Sequence, residues 1–162
     1  MAGLVHVEYD LSDFDSFYEE IFRKIFQQLV ELGESAYNEA VLKGRYNNIT
    51  GNLRSSLGYV VAQDGRVVKE GGFKRIQGRG ENYQNVLFTT KVGKKVQFWA
   101  HGKSGDGSEG SKKGLEYART LATSMKGITL VVVAGMDYAS FVNTRGLDVI
   151  DSAELHVIRE LK

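Results

Sequence analysis

The segment Gly105-Asp106-Gly107-Ser108-Glu109-Gly110 sets glycines at the GxGxxG spacing, with which a strand-to-helix turn offers backbone amides to a dinucleotide pyrophosphate. That chemistry needs the glycines directly after the strand. Here His101 to Ser104 intervene, and Asp106 and Glu109 would repel phosphate. The spacing is expected to mark a loop instead. Gly102-Lys103-Ser104 ends like a P-loop, but Gln97 occupies the place of its first glycine, so the match fails.

The other reactive residue types form no working constellation. With no cysteine in the chain, disulfides, thiol nucleophiles and every cysteine-containing zinc site are excluded. His6 lies with Glu8 and Asp10 on an alternating segment that could face a metal ion, but alternation in a solvated strand generates the same pattern. His101 and His156 have no HExxH partner. No serine lies in a GxSxG context, and Asp137, Asp148 and Asp151 are spaced like helix-start residues. Neither catalytic nor cofactor-binding residues are expected, and no metal.

Phe73-Lys74-Arg75, Gly78-Arg79-Gly80 and Tyr83 interleave cations with aromatics, a composition that suits a nucleic-acid surface. They belong to a wider asymmetry beneath the net charge of +1. From Met1 to Ala40 two basic residues stand against nine acidic ones, and from Lys43 to Gly80 eight basic stand against two acidic. Such a chain can pair unlike faces between copies of itself, or turn its basic middle to a polyanion.

The positioning elements follow from periodicity. Val5, Val7 and Tyr9 alternate with polar residues as in a short edge strand. Ser12 or Asp13 then caps a helix running to about Lys43, with Asp15, Glu19 and Glu20 early and Gly33 a weak point. Its apolar residues, from Phe14 to Ala40, cover about half the circumference where a core-facing stripe needs little more than ~100°, which implies burial on two sides or passage across a broad sheet. Asp64-Gly65 predicts a tight hairpin between strands at Gly58 to Gln63 and Arg66 to Glu70. Eleven of the 19 glycines lie between Gly65 and Gly114, so Gly71 to Gly114 reads as a glycine- and lysine-rich insertion. It carries strand-like pieces at Val86 to Thr90 and Val96 to Ala100 and a mobile segment at His101 to Lys113. A helix from Gly114 to Met125, a fully buried strand from Ile128 to Ala134, a short turn at Tyr138 to Val142 and a final helix from Asp148 or Asp151 complete one α+β domain with a mainly antiparallel sheet. The longest apolar run, Ile128 to Met136, is too short for a bilayer, and Met1-Ala2-Gly3-Leu4 lacks a signal pattern, so no membrane association is expected.

Two stretches, in this order, resemble a known family. Thr50-Gly51-Asn52-Leu53-Arg54-Ser55-Ser56-Leu57, after a long acidic helix, resembles the TGNLRxS segment of tailed-bacteriophage minor tail and head-tail joining proteins, the neck or tail-completion components. Val131 to Val142 resembles that family's valine strand followed by a tyrosine-alanine segment and an aromatic-valine pair, here Tyr138-Ala139 and Phe141-Val142. The likeness spans about half the chain. It departs from the family pattern in having no proline, in reading Asn143-Thr144-Arg145-Gly146 after the second stretch, and in its longer middle. The resemblance implies a structural protein of the virion, assembled in the host cytoplasm, that forms a homo-oligomeric ring between connector and tail-tube proteins with DNA passing through the lumen. Thr50, Gly51, Asn52, Leu53, Arg54, Tyr138 and Phe141 are its interface or motif candidates. Thr50 to Leu57 is expected to form a structural corner, with Leu53 and Leu57 inward and Arg54 outward, available to an acidic group of a neighbour. The alternative is a nucleic-acid-binding module using the basic middle.

Overall fold

A computed structural model describes residues 12–162, with side chains from Phe14 onward. The expected strand at Val5 to Tyr9, with His6, Glu8 and Asp10, lies outside the described residues. Helix α1 (Ser12–Lys43) leads through a corner to the single turn α2 (Asn52–Ser55) and the hairpin β1 (Leu57–Gln63) and β2 (Arg66–Gly72). A second hairpin, β3 (Gln84–Thr89) and β4 (Lys95–Ala100), precedes α3 (Ser108–Thr123), β5 (Ile128–Ala134), the short α4 (Ala139–Val142) and α5 (Asp151–Glu160). This is an α+β fold with antiparallel sheets throughout.

The main sheet has the order β2-β1-β5, and its central strand is buried from Leu57 to Ala62. Strand alternation sends Leu57, Tyr59 and Val61 to a cluster with Ala36, Tyr37 and Ala40 of α1 and Val149 and Ala153 near and in α5. Val60 and Ala62 face the other way, onto Ala118 and Ala122 of α3. Three layers result, helix on sheet on helix. The first hairpin turns where expected, with Asp64 at φ 48° and Gly65 at φ 80°, the pair of positive angles that a two-residue turn between twisted strands demands.

Glycines set the spacing of these layers. Gly33 does not interrupt α1; the Tyr59 ring lies where a Gly33 side chain would go, and the same ring covers Gly71 on β2. An aromatic side chain filling the space over a strand glycine restores the packing that the glycine lacks. On the opposite layer, Gly110, Gly114, Ala118 and Ala122 recur every four residues and form the buried face of α3, so the helix lies close against its neighbours.

Several expectations change. α3 starts at Ser108, inside the stretch expected to be mobile, and Gly71 to Gly114 is not a separable insertion. Its two ends are joined to each other through Gly78 N–H to Gly105 O at 2.7 Å, and the segment is tied to the corner after α1 through Arg79 N–H to Asn48 O at 2.8 Å and Gly80 N–H to Ile49 O at 2.9 Å. Glycine density there reflects close backbone approach, which composition cannot distinguish from flexibility. Among the described residues β5 pairs on one side only, with Val131 and Val133 buried and their neighbours half-buried. The most deeply buried strand is β1, which of the described strands alone has partners on both sides. The sheet is also narrow. At ~1.5 Å per residue α1 spans about 48 Å, roughly twice the length of a seven-residue strand, and Tyr18, Phe22 and Phe26 of its N-terminal half lie beside Gln63 and Val68 of the first hairpin.

Burial and the Glu34 carboxylate beside it push the Tyr59 phenol up to about 12, and burial takes Tyr46 to about 12 as well. Both groups fold in the neutral form and would ionise near 10 in the unfolded chain. Their contribution is present below about pH 10 and is lost as pH rises through about 12. Urea unfolding followed between about pH 9 and 12 should show stability falling over that window. Tyr59→Phe should make the fall shallower; an unchanged slope would contradict this assignment.

Candidate interface groove

The corner between α1 and α2 is built by backbone restrictions. Gly51 takes φ 82°, a left-handed conformation costly for other residues, and a side chain there would collide with the Ile76 carbonyl. α2 then directs Leu53, 7% exposed, into the core. Ser55 is wholly buried, and its hydroxyl accepts the Ile76 N–H at 2.8 Å. The inward placing of Leu53 and Leu57 agrees with the sequence.

The placing of Arg54 does not. Its Nη2 donates to the carbonyls of Gly44 at 3.2 Å and Tyr46 at 3.3 Å, and its guanidinium stacks 4.9 Å from the Tyr46 ring centroid. Arg54 therefore ties the chain leaving α1 to α2 within the same subunit. Gly44 supplies the orphan carbonyl at the end of α1 that such a cation satisfies, a partner that no acidic-residue search would find. Asn52 also acts at longer range than expected. Its Nδ2 donates to Glu109 Oε2 at 3.0 Å and its Oδ1 accepts the Gly110 N–H at 3.3 Å, so it fastens α2 to the first turn of α3.

The structure brings both motif stretches to one groove of about 920 Å³, walled by the 45–54 segment on one side and by Met136, Tyr138, Phe141 and Val142 on the other. The Thr50 hydroxyl lies beside the Tyr138 phenol, whose ionisation is pushed up chiefly by burial. Phe141 is 57% exposed and carries Arg145 over its ring at 4.5 Å. At the rim Lys113 Nζ lies 3.0 Å from Glu109 and 3.9 Å from Asp137. This hydrogen-bonded contact lowers the Glu109 carboxyl and raises the Lys113 ammonium. All seven sequence candidates line this groove, Leu53 with its side chain largely buried and Arg54 held in its clamp. Glu109 and Lys113 were missed because their signal is four-residue spacing on a helix that the sequence places too late.

The groove offers aromatic and apolar walls with a charged rim, and no histidine or nucleophile-base pair lies along it. His101 stacks on Tyr83 at 4.5 Å, and His156 Nε2 hydrogen-bonds the Ser35 hydroxyl at 2.6 Å, joining α5 to α1. Among the described residues no cluster of three His, Asp or Glu side chains could hold a metal ion, and no helix is long and apolar enough to cross a membrane. Gly105 and Gly107 press against the Thr50 and Ile76 backbones, which fills the space a phosphate would need. Comparison with family models, with curated proteins and with solved structures finds no match.

Leu53→Ala should destabilise the fold by about 2–5 kcal/mol, and Arg54→Ala by about 1–3 kcal/mol through two lost charge-assisted bonds. Thermal melts in which Arg54→Ala matches the parent chain would show that the clamp is dispensable. Calorimetric titration with nucleotides should give no heat; micromolar binding abolished by replacing Gly105 and Gly107 would overturn that expectation.

Proposed function

We propose that this chain is a structural component of a tailed-phage virion, a neck or tail-completion protein that assembles as a ring between the connector and the tail tube. The observation that carries the reading is the amount of large apolar surface that the single chain leaves uncovered at two separate places. Phe14, Phe17, Tyr18, Ile21 and Ile25 lie exposed on the N-terminal part of α1, and on the second hairpin Phe88 and Phe98 lie exposed on one face and Leu87 and Trp99 on the other. Contiguous exposed patches of this kind mark interaction surfaces, and two patches on one chain suit a head-to-tail arrangement that can close into a ring. The resemblance of Thr50 to Leu57 and Val131 to Val142 to phage head-tail joining proteins supplies the setting. The convergence of both stretches on one groove supports treating them as a unit, fitted to the neighbouring connector or tail-tube protein. On this reading the chain performs no catalysis, needs no cofactor and meets DNA only non-specifically in the lumen.

Sedimentation at low and high salt tests the assembly. The chain should form a closed oligomer whose stability falls with added salt, since acidic α1 and the basic middle are partly screened. A monomer under both conditions that instead binds short duplex DNA tightly would favour the nucleic-acid-binding alternative.

A further inference from the structure

The β3–β4 hairpin is a two-stranded ribbon that packs on no other helix or strand beyond marginal contact. Its two faces differ. The register sets Val86 opposite Phe98 and Phe88 opposite Val96, and this apolar face is partly covered, with both valines half-buried. On the other face stand the pairs Asn85 with Trp99, Leu87 with Gln97 and Thr89 with Lys95, since directly paired residues point the same way and alternate along the strand. All six are exposed, Trp99 at 66% and Leu87 at 65%. Tyr83 and His101, one residue before β3 and one after β4, stack on each other at 4.5 Å, and alternation carries them to the Trp99 face.

The same segment is uniformly basic. From Asn82 to Gly105 it carries Lys91, Lys94, Lys95 and Lys103 and no acidic residue. All four lysines are exposed, and among the described residues none joins an ion pair. The acidic residues at its ends are already engaged: Glu81 accepts the Asn48 N–H at 2.6 Å, and Asp106 accepts the Ser108 N–H at 3.0 Å. The ribbon thus sets uncompensated positive charge beside a row of flat side chains. An acidic peptide would answer the charge alone, and a duplex would offer phosphates but keep its base faces stacked inside. A single strand presents both, phosphates for the lysines and bare base faces for the aromatic rings.

We infer that the Trp99 face of the β3–β4 ribbon is a binding surface for single-stranded nucleic acid. Bases stack on Trp99 and on the Tyr83 and His101 pair, Asn85 and Gln97 offer amides to base edges and sugars, and Lys91, Lys94 and Lys95 hold the phosphates. Stacking of this kind accepts every base, so recognition is independent of sequence. One stacked base and one phosphate are too little to hold a free mononucleotide. The inference goes beyond the virion role and does not depend on ring assembly.

Trp99 is the only tryptophan in the chain, so its fluorescence reports on this face. Titration of the full chain at low salt with an oligothymidylate of about ten nucleotides should quench it, and a duplex of the same length should bind about tenfold more weakly. With a labelled oligonucleotide, Trp99→Ala should weaken binding about tenfold or more. Lys91→Gln, Lys94→Gln and Lys95→Gln together should lower the slope of log affinity against log salt by about 2, with thermal melting unchanged because the ribbon lies off the core. Trp99 fluorescence untouched by the oligonucleotide, a duplex bound as tightly as the single strand, or a salt slope indifferent to the lysines would overturn the inference. A response to anionic phospholipid vesicles with none to the oligonucleotide would assign the face to a lipid surface and overturn it as well. Ring assembly by a chain that binds no oligonucleotide would remove this surface and leave the proposed function standing.

Discussion

Close backbone approach at the first turns of α3 is the constraint on which the rest of the structure depends. A side chain at Gly110 would strike the Asn52 carbonyl, and one at Gly114 would strike Ser56, while Gly135 in turn lies against Gly114. Only with these positions bare can α3 settle on α2 and on the ends of β1 and β5. Asn52 can then reach Glu109 and the Gly110 amide. That seating fixes the 45–54 corner on one side of the groove and carries Tyr138 and Phe141 to the other. Packing at this density leaves little room for relaxation, so the groove has a built shape.

The same logic explains which parts of the fold could be read from the residues. Asp64-Gly65 announced its turn through local backbone chemistry, and the order of helices and strands after it followed from periodicity. Of the two candidate starts Asp148 and Asp151, the last helix begins at Asp151, and Asp148, three residues earlier, accepts the Ser152 N–H at 3.0 Å. The errors fell where local signals are ambiguous. Glycine at Gly105, Gly107 and Gly110 reads as a mobile loop because composition does not reveal a backbone lying a van der Waals contact away. Arg54 was read as outward because its partners are main-chain carbonyls, which have no sequence signature. The wide apolar pattern on α1 implied either burial on two sides or passage across a broad sheet; the sheet has three described strands, and Phe14, Phe17 and Tyr18 stay exposed, because the number of paired strands depends on tertiary contacts.

Of the candidate site, the motif residues were visible and their meeting was not. Thr50 and Tyr138 are separated by most of the chain, and only the packing of α3 between them brings the hydroxyl of one to the phenol of the other. A groove with aromatic walls and a Glu109–Lys113 rim, together with two uncovered apolar surfaces of opposite charge bias, favours a protein whose work is contact. The proposed phage role gives those contacts a geometry: unlike faces join copies around the ring, and the groove is left for a different neighbour along the tail axis.

The central claim is tested most directly by electron-microscopic reconstruction of tailed particles assembled with and without this chain. The account predicts a ring of density between connector and tail tube into which copies of the domain fit, and loss of that ring and of tail joining when the chain is omitted. Complete, tail-joined particles without the chain, or a neck whose density has no place for this fold, would contradict it.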